Sequence, residues 1–79
     1  MRNERWFISY RVTRKDFLLD MVEYTYGSVV TDITPARWVM VQVLETHILY
    51  AEHISLALAS ELVHCGTGIR TEYYREEDE

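Results

Sequence analysis

Between Arg5 and Thr13 the side chains alternate: Trp6, Ile8, Tyr10 and Val12 fall on one side and Arg5, Ser9, Arg11 and Thr13 on the other, with Phe7 the exception. Period two in aromatic and β-branched residues predicts a half-buried strand. The polar run Thr13-Arg14-Lys15-Asp16 reads as a turn. Phe17 to Met21 either extends the hairpin or forms a loop, and alternation resumes from Val22 to Ile33 through Tyr24, Tyr26 and Val30. Gly27 interrupts that second run, as a bulge in one long strand or as a turn between two.

Thr34-Pro35 changes the pattern. A threonine hydroxyl caps a helix whose first residue is a proline, where the missing N–H costs nothing. A short buried helix is predicted from Pro35 to about Leu44, through the apolar stretch Trp38-Val-Met-Val-Gln-Val-Leu. Thr46 to Ile54 follows as a strand with Ile48, Tyr50 and Ile54 inward. Ser55 then caps a second helix whose inner face is Leu58, Leu62 and Cys65, with Leu56, Ala59 and Val63 beside them and His53, Ala57, Ser60, Glu61 and His64 toward water. Gly66 ends it, in a left-handed cap. The rival reading fuses residues 35 to 64 into one long helix or a helical hairpin.

The elements add up to an α+β domain in ββαβα order: a small antiparallel sheet, made of an N-terminal hairpin and a further strand, packed against one or two helices. The expected core is Trp6, Ile8, Tyr10, Val30, Ile33, Trp38, Val41, Leu44, Ile48, Leu58 and Leu62. Residues 1–72 form this single domain and 73–79 an acidic tail. The chain has 79 residues, of which 48% are hydrophobic and one is proline, so it has the composition of a folded protein. A domain this small buries only about 60% of the surface of its unfolded chain, so pairing into a homo-oligomer would add useful apolar burial. With one cysteine, Cys65, it has no intrachain disulfide, and its charged N-terminus lacks a following apolar run. Both point to a cytoplasmic protein without a secretion signal or a membrane span.

Charge is split along the chain. The first fifteen residues carry Arg2, Arg5, Arg11, Arg14 and Lys15 against Glu4, a net +4; the remainder holds twelve carboxylates against Arg37, Arg70 and Arg75, a net −9. Such a dipolar surface orients an approaching partner. Candidate chemistry is sparse. His47, His53, His64 and Cys65 offer zinc-type ligands, but their spacing lacks the tight paired loop of structural zinc sites. Cys65 with His64, and Ser55 with His53 and Glu52, are sequence neighbours whose side chains diverge on a helix or strand, and no nucleophile elbow accompanies them. Gly66-Thr67-Gly68 follows a helix instead of preceding one, the wrong polarity for a phosphate cradle. No catalytic residue, metal site or cofactor is predicted. Trp6, Phe7 and Tyr10 with Arg5 and Arg11 resemble a stacking surface for nucleic acid, yet the net charge of −5 opposes polyanion binding.

The ordered set Trp6-Phe7-Ile8-Ser9-Tyr10, Tyr26-Gly27, Val29-Val30, Asp32-Ile33-Thr34-Pro35 and Trp38 resembles small accessory proteins carried by phages and other mobile elements. The likeness covers roughly the first half of the chain. It implies a short, non-enzymatic protein that inhibits a host or defence complex. A second likeness, of Phe7 to Arg11 to the opening strand of TIR domains, is set aside because the chain lacks the length for that fold. The function expected is therefore a protein-binding accessory factor, of the kind with which a phage blocks a bacterial nuclease or defence complex in the host cytoplasm, acting by steric occlusion. Phe7, Tyr24, Tyr26, Tyr73 and Tyr74 are the candidate aromatic anchors, with Arg5, Arg11, Glu76 and Glu77 orienting the partner. Neither direct nucleic-acid contact nor a membrane is expected. The alternatives are an acidic nucleic-acid mimic, using Asp16, Asp20, Glu23, Asp32, Glu72 and Glu76 to Glu79 to occupy a basic cleft, and a small metal-dependent hydrolase built on the histidines.

Overall fold

A computed structural model describes residues 4–66 and 68–74. Strands β1 (Arg5–Asp16) and β2 (Met21–Thr31) form a hairpin, followed by helix α1 (Pro35–Met40), strand β3 (Glu45–Ile54), helix α2 (Leu56–Cys65) and strand β4 (Ile69–Glu72). The fold is α+β in ββαβαβ order, with one sheet ordered β3-β1-β2-β4. β1 lies antiparallel to both β2 and β3, while β4 runs parallel to β2.

The connections explain the layering. The crossover from β2 to β3 leads toward one edge of the sheet and that from β3 to β4 leads back to the other. Two crossovers of the same hand but opposite direction set their helices on opposite faces. Accordingly Trp38 of α1 packs with Ile8, Tyr10, Val29 and Ile33, and Ala59 of α2 with Val30 and Ile54. The sheet is the middle of three layers. Phe7 breaks the alternation of β1 because α2 covers its face, where Leu62, Val63 and Ile69 join it.

The hairpin is longer than its polar residues suggest. Thr13 to Asp16, expected as a turn, continue the ladder through Thr13↔Tyr24, Arg14↔Glu23, Lys15↔Val22 and Asp16↔Met21. The turn is residues 17–20. Opposite charges at Arg14 and Glu23 suit a solvated strand pair as well as they suit a loop. Gly27 is neither bulge nor turn. It pairs in register with Tyr10, whose ring lies across it, so that a Cβ there would stand 2.5 Å from the tyrosine oxygen.

Thr34 caps α1 as expected, its hydroxyl accepting the Arg37 N–H at 3.4 Å. The helix stops at Met40, before the predicted Leu44. Val41 N–H and Gln42 N–H turn back to the carbonyls of Trp38 and Val39, and the Gln42 amide also donates to Trp38 O at 3.0 Å. This tightened last turn releases Val43 and Leu44 into a bend. Val41 and Leu44, expected in the core, are half-exposed there. In β3 a bulge at Leu49 shifts the pairing from Ser9↔Tyr50 to Tyr10↔Ile48, so Ile48 and Ile54 point inward on different faces and Tyr50 is exposed.

Ser55 caps α2 by accepting the Leu58 N–H at 3.1 Å. The helix turns a different stripe inward than predicted: Ala59 is buried, Leu62 and Val63 are half-buried, and Leu58 and Cys65 are exposed. Alanine at the closest approach lets the helix sit down on Val30 and Ile54. Gly66 is not left-handed, with φ −78°; glycine is required because a Cβ would meet Ile69 at 2.5 Å and the Leu62 carbonyl at 2.6 Å. The left-handed residue is Gly68, at φ +80°. β4 was not predicted, and it ties the end of the domain together. Glu72 accepts the Trp38 indole N–H at 3.0 Å and the Tyr74 hydroxyl at 2.7 Å and pairs with Arg70 at 2.7 Å, while Asp32 accepts the Tyr74 N–H at 2.8 Å.

Two predictions follow from this packing. Gly27→Ala drives a methyl group into the Tyr10 ring beneath Trp38 and lowers stability by about 1–3 kcal/mol in urea titration. Burial works against ionisation of Glu72, but the hydrogen bonds from Tyr74 and Trp38 and the Arg70 charge outweigh it and hold its carboxyl below the ordinary value of 4.5. Its contribution is therefore complete above about pH 4.5 and is lost as pH falls through the lower folded value. Glu72→Gln is expected to flatten that acid limb of the stability curve relative to the parent chain.

Candidate docking surface

The helices cover only one end of the sheet. The described structure measures 48 × 25 × 17 Å with a radius of gyration of 14.2 Å, against about 12 Å for a compact chain of this length. Its length comes from the hairpin, whose distal half projects beyond both helices. Two kinds of exposed surface result.

The first is a band on the α2 side of the sheet. Alternation sets Arg11, Tyr24, Tyr26 and Tyr50 on the face that carries Phe7, and the register places Arg11 between Tyr26 and His47. Tyr24 and Tyr26 are 54% and 65% exposed, too open for core residues. The Arg11 guanidinium lies 4.9 Å from the Tyr24 ring centre, and its Nε is buried without a hydrogen-bond partner. Cation and ring thus hold each other in place. Tyr50 donates to Glu52 at 2.8 Å, and that hydrogen bond to the carboxylate raises its ionisation above the ordinary 10.0, keeping the hydroxyl protonated. Phe7, Tyr50, Glu52, Ile54, Leu58 and Leu62 line a shallow groove of about 220 Å³ between β3 and α2.

The second surface is the hairpin tip. Phe17, Leu18 and Leu19 are 88%, 96% and 65% exposed. They are presented by a built turn. The Asp16 carboxylate accepts the N–H groups of Leu18 and Leu19 at 3.1 and 3.3 Å, and Asp20 closes the loop in the left-handed region at φ 54°. Aspartate tolerates both roles because its short polar side chain bonds the local backbone.

The expected anchors divide. Arg11, Tyr24 and Tyr26 come together on the band, and Phe7 sits half-buried at its edge under α2. Arg5 and Tyr73 meet at the other end of the sheet, 4.6 Å from cation to ring centre. Tyr74 belongs to the Glu72 network on the α1 face. Glu76 and Glu77 lie outside the described residues. Tyr50 and the tip were missed by sequence reasoning: the bulge at Leu49 exposes the tyrosine, and apolar character at 17–19 gave no hint that the turn stood clear of the core.

The histidines are dispersed. His53 stacks on Trp6 at 4.8 Å between ring centres, His64 bonds the Ser60 carbonyl at 2.9 Å, and His47 lies on the opposite face of β3 from His53. Among the described residues no three histidine, cysteine, aspartate or glutamate side chains gather as metal ligands. Several carboxylates proposed for mimicry are engaged within the fold: Asp16 in the turn, Asp32 buried against Tyr74 N–H, and Glu72 in its network. No described helix is long and apolar enough to cross a membrane.

Comparison with family models, with curated proteins and with solved structures finds no match to this chain. The reading of the surface rests on its own chemistry.

Asp16→Ala removes both side-chain bonds that shape the tip. Hydrogen exchange is expected to accelerate about tenfold at Leu18 and Leu19, the equivalent of about 1.4 kcal/mol of local stability, with little change in the amides of β1 facing β3.

Proposed function

We propose that this protein is a non-enzymatic docking factor whose tyrosine band and hairpin tip occupy the surface of a protein partner and block it sterically. The observation that carries this reading is the clustering of Tyr24, Tyr26 and Tyr50 with Arg11 on an open face of a rigid sheet. Tyrosine supplies a large amphipathic contact at little cost in side-chain entropy, and arginine with tyrosine is the pairing that dominates interface hot spots. Ser9 and Ser28, in the cross-strand row of Tyr50 and next to that of Tyr26, add small adaptable hydrogen-bonding groups. The tip extends the band with a preformed apolar projection suited to a partner's cleft. Arg5 and Tyr73, paired with one another at the far end, serve orientation more than anchoring.

The resemblance of the first half of the chain to small accessory proteins of mobile elements supports the partner to try first. That partner is a bacterial host or defence complex, met in the host cytoplasm, with a nuclease as the leading case. Polyanion mimicry is the weaker reading, because Asp32 and Glu72 spend their charge inside the fold and Asp16 is tied to the backbone of the turn.

The test is capture of a partner from bacterial lysate by the tagged chain, repeated with variants. Tyr24→Ala with Tyr26→Ala is expected to weaken capture by about 2 kcal/mol or more, roughly thirtyfold, while Glu→Gln changes at residues 76 and 77 leave it within about threefold. Capture that survives loss of both tyrosines, or that vanishes with modest salt and with the amide changes, would overturn steric docking in favour of mimicry.

A further inference from the structure

The sheet has an open slot. β4 pairs with β2 only from Ser28 to Thr31, so the stretch from Met21 to Gly27 has β1 on one side and no described strand on the other. Its outward N–H and C=O groups form a template for another strand. The other outer edge, on β3, is blunted: Leu49 bulges out of its register, and Glu45, His47, Glu52 and His53 punctuate the strand. Bulges and charges are the common protections of an edge. The β2 slot has no bulge and little charge. Its sequence, Met-Val-Glu-Tyr-Thr-Tyr-Gly, holds one charge and is rich in residues that favour strands.

We infer that two copies of this chain join through this slot, antiparallel about a two-fold axis at Tyr24, to make one continuous sheet. The slot is bounded by Ile69, which pairs with Ser28, and by the turn that ends at Asp20. A second copy of the same stretch fills it when Tyr24 meets Tyr24, Val22 meets Tyr26, Glu23 meets Thr25 and Met21 meets Gly27. Sliding two residues one way drives the second copy's turn into β4; sliding the other way leaves part of the edge unpaired. A one-residue slip turns the tyrosines to the wrong face.

The side chains fit this register. Tyrosine opposite valine and tyrosine opposite tyrosine are favourable cross-strand pairs, each worth about 0.2–1 kcal/mol. Glutamate faces threonine, so no like charges oppose across the joint. Pairing uses the backbone edge and leaves the tyrosine rings on their face, so the bands of two copies join into one.

The inference concerns the purified chain alone and stands apart from the identity of any docking partner. Sedimentation equilibrium of the full chain is expected to give twice the 9.4 kDa of the monomer at high micromolar concentration. Tyr24→Lys sets two cations against each other on the axis and is expected to weaken association by about tenfold or more without altering the circular dichroism of the fold. In a Cys65→Ser background, Tyr24→Cys should oxidise to a linked dimer, whereas Leu49→Cys on β3 should not; this arm holds even where the lysine variant fails to fold. A chain of 9.4 kDa at every concentration would sink the inference, as would a dimer cross-linked through Leu49→Cys and not through Tyr24→Cys.

Discussion

The seat of Trp38 holds the domain together. Its ring is fully buried, packs 5.1 Å from the ring of Tyr10, and donates its indole N–H to Glu72 on the far edge strand. One side chain therefore joins α1, the central hairpin and β4. Loss of a buried ring of this size costs about 3–5 kcal/mol, a large share of the stability available to so small a chain. The position of Arg70 depends on the same seat: it reaches Tyr10 at 3.0 Å and Glu72 at 2.7 Å, closing a polar circuit around the indole.

That circuit also determines what is left open. With α1 pinned over Tyr10 and α2 settled on Val30 and Ile54, both helices crowd the end of the sheet where β4 pairs. Nothing of either helix reaches the distal hairpin. A chain of this length has enough apolar residues to cover one end of a long sheet twice, and the other end then presents its tyrosines and its turn to solvent. The candidate docking surface and the unpaired stretch of β2 are both products of this uneven coverage.

Much of the fold is legible in the residues. Alternation in β1 and β2, the Thr34-Pro35 start of α1 and the Ser55 cap of α2 are local signals, and local signals survive because their partners lie within a few positions. The errors cluster where distant groups decide. Thr13 to Asp16 look like a turn until the partner strand supplies Glu23 and Tyr24; Ile69 to Glu72 carry no periodic pattern and become a strand only beside β2. Leu58 and Ala59 are equally plausible inner residues of an isolated helix, and the clearance over Val30 selects the smaller.

For the candidate site the division is similar. Residue types alone marked Arg11, Tyr24 and Tyr26, since aromatics and an arginine at strand spacing share a face whatever surrounds them. They did not mark Tyr50 or separate Arg5 and Tyr73 from the band, because a bulge and a helix placed across the sheet are non-local events. The chain by itself determined an α+β domain, where its helices start and which strands turn which residues together, all from backbone preferences with short reach. The tertiary structure alone decided which face each helix covers, which carboxylates are consumed inside the fold and which aromatics stay in water, because coverage depends on the direction of the crossovers and on the few side chains that fit between layers.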